Sequence, residues 1–134
     1  MVTDERLAAI RHAAGELTTL SGGLAPRALV ILGSGLGDVA DSLEVTASAP
    51  FSALPGFAAS NVPGHVGRFV FGHAGDTPVM AMVGRLHLYE GHPADRVVLP
   101  IRAARMLGCE VLIATNAAGG ITPGLAVGQT MMVS

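Results

Sequence analysis

Lysine is absent from this chain of 134 residues, and all eight of its basic side chains are arginine. Without lysine there is no Gly-Lys-Ser/Thr phosphate loop. The arginines are also scattered, forming no basic stripe of the kind nucleic acid requires, so no nucleic-acid partner is expected. Cysteine is nearly absent: the single Cys109 cannot close an internal disulfide and reads as a small core residue. Long apolar runs are missing too. The longest, 28–32 and 79–83, are five residues, against about 18 for a membrane span, so no membrane partner is expected. The start, Met1-Val2-Thr3-Asp4-Glu5-Arg6, is acidic and polar where a secretory signal begins basic and turns apolar. The expected compartment is the cytoplasm.

Charge is sparse, at 13% of residues, and the stretches 45–67 and 111–134 contain no Asp, Glu, Lys or Arg at all. The second stretch gives water little to solvate, so something else is expected to cover it. What the chain has in quantity is apolar side chains, 50% of the total. A chain of this size buries roughly two thirds of its unfolded surface, enough for one ordinary core.

Residues 4–20 read as an amphipathic helix, because Leu7, Ile10, Ala14, Leu17 and Leu20 recur at spacings of three or four, with Thr3 as N-cap and Gly22-Gly23 as the stop. Residues 27–32 form an apolar run ending at Gly33, the pattern of a buried strand. Residues 50–67 carry Pro55, Gly56, Pro63, Gly64 and Gly67, too many breakers for a regular element, and are expected as a long loop. The runs 68–72 and 77–83, separated by His73-Ala74-Gly75-Asp76, predict an antiparallel hairpin. Residues 93–107 are helical by composition, with Pro93 in the first turn, Pro100 as a kink and Gly108 as the stop. Residues 110–114 predict another short strand running into a small-residue loop, and 129–133 read as the start of one more. This order predicts an α/β fold with a mixed central β-sheet flanked by helices.

Three loops have the composition for chemistry. Gly33-Ser34-Gly35-Leu36-Gly37 follows the first strand; glycine lets backbone amides approach an anion and Ser34 adds a hydroxyl. A simple tight turn explains the same residues. A dinucleotide fingerprint fails, because Asp38 stands where a third small residue is needed and no acidic residue follows at about 20 positions. In Gly84-Arg85-Leu86-His87-Leu88-Tyr89-Glu90-Gly91-His92, an extended chain sends Arg85, His87 and Tyr89 to one face. An Arg fork beside an imidazole suits a phosphate dianion, and the outer face of an edge strand is the alternative. Asn116-Ala117-Ala118-Gly119-Gly120 leaves room for a ligand beyond a strand end, or is a plain strand-to-turn junction. His65, His73, His87, Glu90 and His92 are close in sequence, but they match neither the His-Glu-x-x-His arrangement nor a zinc spacing, so no metal is expected.

Read jointly, Ile31-Leu32-Gly33-Ser34-Gly35-Leu36-Gly37, Val62-Pro63-Gly64-His65-Val66-Gly67-Arg68, Gly84-Arg85-Leu86-His87-Leu88-Tyr89-Glu90-Gly91 and Thr115-Asn116-Ala117-Ala118-Gly119-Gly120 resemble purine nucleoside phosphorylases of the trimeric type. Hexameric phosphorylases have a Gly-Asp-Pro type loop where this chain has Gly-Ser-Gly, and methylthioadenosine phosphorylases fit less well along 85–91 and 116–120. The resemblance implies reversible phosphorolysis of purine (deoxy)ribonucleosides to free base and (deoxy)ribose 1-phosphate. It implies that Ser34, His65, Arg85, His87 and the amide of Ala117 hold phosphate. Tyr89 then lies along the ribose, Asn116, Ala118 and Gly119 line the way to the base, and Glu90 orients the phosphate-binding histidine; the catalytic roles fall on His87 and Glu90. It further implies inorganic phosphate as co-substrate with no cofactor, purine nucleoside as the other ligand, and a homotrimer. By the same resemblance residues 1–134 form the N-terminal portion of a single nucleoside phosphorylase domain and read as truncated, since the match stops before the family's base-recognising Glu and Asn, a later phosphate-binding Ser and a His near the ribose 5′ hydroxyl. A non-catalytic anion-binding or structural remnant of that family is the alternative.

Overall fold

A computed structural model describes residues 4–58 and 67–133 of the chain. Helix α1 (Asp4–Leu20) forms where the spacing predicts it and buries Ile10, Ala13, Ala14 and Leu17. It stops at the paired glycines: Gly22 and Gly23 take φ of 63° and 86°, and their N–H groups donate to the carbonyls of Thr19 and Thr18. Those bonds satisfy acceptors that the last helical turn leaves open. The expected N-cap Thr3 lies outside the described residues, as does His65.

Strands β1 (Ala28–Leu32), β2 (Glu44–Pro50), β3 (Arg68–Ala74), β4 (Thr77–Val83) and β5 (Val111–Ala114) make one sheet in the order β2-β3-β4-β1-β5. β2, β3 and β4 are an antiparallel meander, whereas β1 lies parallel to both β4 and β5. The mixed sheet is the one that the element order predicts. Pairing of the β3–β4 hairpin extends to Ala74 and Thr77, leaving Gly75-Asp76 as a two-residue turn.

One element, β2, was not foreseen, and two local expectations need correction. β2 has no strand signal in the sequence, because its inward positions are only Ala47 and Ala49. It forms because β3 offers an edge, with a bulge between Val45 and Ala47 and the Thr46 hydroxyl donating to the Phe71 carbonyl at 3.2 Å. The helix expected over 93–107 is two pieces, α2 (Ala94–Val97) and α3 (Leu99–Met106). Pro100 sits in the first turn of α3, where its missing N–H leaves no helical bond unmade, and Pro93 is the N-cap of α2 rather than part of its first turn. Residues 129–133 form no strand and pair with no strand of the described sheet; the Gln129 N–H donates instead to the nearby Ala126 carbonyl at 3.1 Å.

Alternation along the strands sorts the core into two faces. Leu29, Ile31, Phe69, Phe71, Met80 and Met82 point toward α1 and α3, packing with Leu17, Ala103 and Ala104. Leu32, Val70 and Ala81 point the other way, where Ala40 of a 3₁₀ segment (Gly37–Ser42) covers them. β5 is one of the two edge strands, and Ile121 and Val127 beyond it are 97% and 108% exposed. Among the described residues nothing covers this uncharged stretch. No helix among them is long and apolar enough to cross a membrane.

Candidate functional site

Because β1, β4 and β5 are parallel, their carboxyl ends share one edge of the sheet. That edge is where open α/β sheets hold ligands. All three loops singled out in the sequence leave from it: 33–37 after β1, 84–92 after β4 and 115–120 after β5. The topology thus gathers Ser34, Arg85, His87 and Ala117 onto one side of the fold, although they come from distant parts of the chain.

Contact between the loops centres on Thr115, one residue past β5. A Cβ on Gly33 would lie 2.6 Å from the Thr115 carbonyl oxygen, so only glycine lets the exits of β1 and β5 come this close. The Gly33 N–H donates to Thr115 Oγ1 at 3.0 Å, and that hydroxyl donates to the Ile31 carbonyl at 2.9 Å. From the third strand end, Arg85 Nη1 donates to the Thr115 carbonyl at 2.8 Å. Sequence reasoning gave Thr115 no role. Its signal was slight: a lone hydroxyl between an apolar strand and a run of small residues.

The stretch after β4 is extended at His87 but turns from Leu88 on, which corrects the alternation read from the sequence. Leu88–Glu90 is a 3₁₀ turn closed by Gly91, and Glu90 Oε1 accepts the His87 backbone N–H at 2.8 Å. That bond curls the chain and sets His87 through its main chain. His87 and Tyr89 still share a side, because their rings stack with centroids 4.7 Å apart and planes 14° apart. Arg85 instead turns to Thr115. Tyr89 is 79% exposed, and Ser34, Asn116, Ala117, Ala118 and Gly119 are exposed as well. Asn116 Nδ2 donates to the Ala117 carbonyl at 3.3 Å.

Cys109 lies near the amino end of β5, away from this edge. Burial pushes its thiol up to about 11 against the opposing pull of Arg105. A thiol that keeps its proton at neutral pH is a poor nucleophile. Among the described residues no three or more His, Cys, Asp or Glu are grouped to hold a metal ion.

A family model described as the phosphorylase superfamily matches residues 27–134. The chain belongs to this superfamily. It is 46% identical over 110 residues to a purine nucleoside phosphorylase of Anopheles gambiae, a match that covers 82% of this chain and 31% of that protein. A Schistosoma mansoni purine nucleoside phosphorylase solved in complex with inosine resembles it with a TM-score of 0.81 at 33% identity, over 96% of this chain and 44% of that one. A purine nucleoside phosphorylase in complex with ribose-1-phosphate gives a TM-score of 0.81 at 36% identity, over 91% and 44%. This member of the superfamily spans less than half the length of these relatives. The resemblance carried by the four motifs is borne out, and the mixed sheet is that of the phosphorylases.

Proposed function

We propose that this chain carries the phosphate side of a purine nucleoside phosphorylase site. In the reaction, a phosphate oxygen forms a bond to the anomeric carbon of a purine (deoxy)ribonucleoside while the bond to the base nitrogen breaks. The products are (deoxy)ribose 1-phosphate and the free base, which takes up a proton. The observation that carries this reading is the convergence of the glycine loop and Arg85 on Thr115 at the ligand edge of the sheet. It joins the two donor systems best suited to an oxyanion: backbone N–H groups of a glycine-rich turn and a guanidinium fork.

Cleavage of the glycosidic bond builds positive charge on the sugar. A phosphate dianion fixed beneath it acts as both nucleophile and counter-charge, and fixing reactants in such geometry supplies roughly 7–11 kcal/mol in ideal intramolecular cases. Ser34, Arg85, His87, His65 and the Ala117 amide are the proposed phosphate donors. Tyr89 lies along the ribose, and Asn116, Ala118 and Gly119 line the approach to the base. Glu90 acts by fixing the His87 main chain. The relatives solved with inosine and with ribose-1-phosphate hold a nucleoside and a sugar phosphate of the classes this reaction connects. Inorganic phosphate is the co-substrate. By the same kinship the working assembly is a homotrimer of the cytoplasm.

Calorimetric titration of the chain with inorganic phosphate tests the site, and hypoxanthine release from inosine plus phosphate tests the reaction. Saturable phosphate binding with hypoxanthine release is expected. A chain that binds no phosphate would sink the reading. Phosphate binding without release would leave the anion site and remove catalysis by this chain.

A further inference from the structure

We infer that Thr115 is the positioning residue of the phosphate site, setting which amides of the glycine loop are free and where the Arg85 guanidinium stands. The inference rests on the phosphate-side reading above. Thr115 is half-buried and uses every hydrogen-bonding group it has: its N–H and its hydroxyl both donate to the Ile31 carbonyl at 2.9 Å, its Oγ1 accepts from Gly33, and its carbonyl accepts from Arg85.

Two consequences follow for an anion. First, the Gly33 N–H is already committed, so the first amide of the loop is taken out of the cradle. The N–H groups of Ser34 and Gly35 and the Ser34 hydroxyl have no partner among the described residues. They are the donors left for phosphate. Second, a guanidinium carries five N–H donors in a rigid plane. Holding Nη1 on the Thr115 carbonyl fixes that plane and leaves the rest of the fork for oxyanion binding. The loop and the fork thereby lean on the same residue, and their separation is set by one side chain and its own carbonyl. Thr115 need not touch phosphate to govern its affinity.

The test compares phosphate and inosine affinities of the full chain with those of Thr115→Val, Thr115→Ser and Arg85→Ala. Valine keeps the branched shape but strands the Gly33 N–H. Phosphate affinity is expected to fall about tenfold, the scale of a buried donor left unpaired, while inosine affinity moves by less than about threefold. Serine restores the hydroxyl and is expected to restore phosphate binding. In the Thr115→Val/Arg85→Ala double variant the losses should be less than additive, because the hydroxyl bonds that valine removes also hold in place the main-chain carbonyl that receives Arg85. Hydrogen exchange on the unaltered chain guards against a valine variant that fails to fold. The Gly33 amide should be slow without phosphate, with Ser34 and Gly35 becoming protected only when phosphate is added. If Thr115→Val lowers the melting temperature but leaves phosphate affinity unchanged while Arg85→Ala loses it, the inference fails and the site reading stands. A Gly33 amide protected only by phosphate also overturns the inference. Phosphate affinity untouched by Arg85→Ala overturns the site reading and the inference with it.

Discussion

Gly33 and Thr115 meet so closely that a methyl group on Gly33 would come within 2.6 Å of the Thr115 carbonyl oxygen, the same oxygen that receives Arg85. Gly33→Ala should therefore force the ends of β1 and β5 apart. Overpacking of this kind costs about 1–3 kcal/mol. A lower melting temperature together with weakened phosphate binding is expected. Unchanged thermal stability would show that the exits of β1 and β5 are not held in contact in solution.

Arg85 is assigned to phosphate rather than to nucleoside, and the two ligands separate the roles. Loss of a charge-assisted bond is worth about 1.5–3 kcal/mol, roughly 10- to 100-fold in affinity, so Arg85→Ala should weaken phosphate by that factor and inosine far less. Arg85→Lys should recover little, since an ammonium cannot hold the Thr115 carbonyl and present a planar fork at once. Equal losses for both ligands in parallel titrations would remove the assignment.

Phe69 connects the core to the site. Its ring is fully buried and lies 4.4 Å from that of Phe51 and 4.8 Å from that of Phe57, measured between centroids. Phe51 in turn donates its backbone N–H to the Gly67 carbonyl at 2.8 Å, and Gly67 sits beside Gly84, the residue before Arg85. Phe69→Ala should cost about 3–5 kcal/mol by denaturant titration. A loss below about 1 kcal/mol would mean that the aromatic cluster is not a packing centre of the core.

Cys109 gives the pH prediction. Its thiol is raised from 9.0 to about 11 in the fold by burial, the larger cause, with Arg105 pulling it down. A raised folded-state value means that the folded chain holds this proton more tightly than the unfolded chain does. The corresponding stability is complete below about 9 and is lost as pH rises from 9 toward 11. Thiol alkylation of the native protein should be slow at neutral pH. Cys109→Ala should flatten the alkaline fall in stability, and an unchanged profile would show that the thiol plays no part in it.

How far the sequence could be read depended on whether each signal was local. α1 was legible because its apolar spacing and its paired glycines act within a few residues, and the β3–β4 hairpin was legible for the same reason. β2 was not, since an edge strand built on Ala47 and Ala49 takes its identity from the neighbour it pairs with. The loops of the site were found as motifs, each with a bland alternative, and only their shared departure from parallel strand ends brings them together. The alternation assigned to 84–92 misled because a single bond, Glu90 to the His87 N–H, outweighs a periodicity with no partner strand to enforce it. Thr115 escaped notice because its four bonds reach residues 30 and more positions away.

β1 and β5 are brought side by side from opposite ends of the described chain, and the hydroxyl bond of Thr115 to Ile31 closes a loop of 84 positions. The meander of β2, β3 and β4 forms from near neighbours in sequence, whereas the β1–β5 pair must await a long closure. β5 is also short, four residues, and lies at an edge of the sheet, where few bonds hold a strand against fraying. Each fraying event that lifts Thr115 away disconnects the glycine loop from Arg85. Occupancy of the proposed anion site would thus report whether β5 is docked.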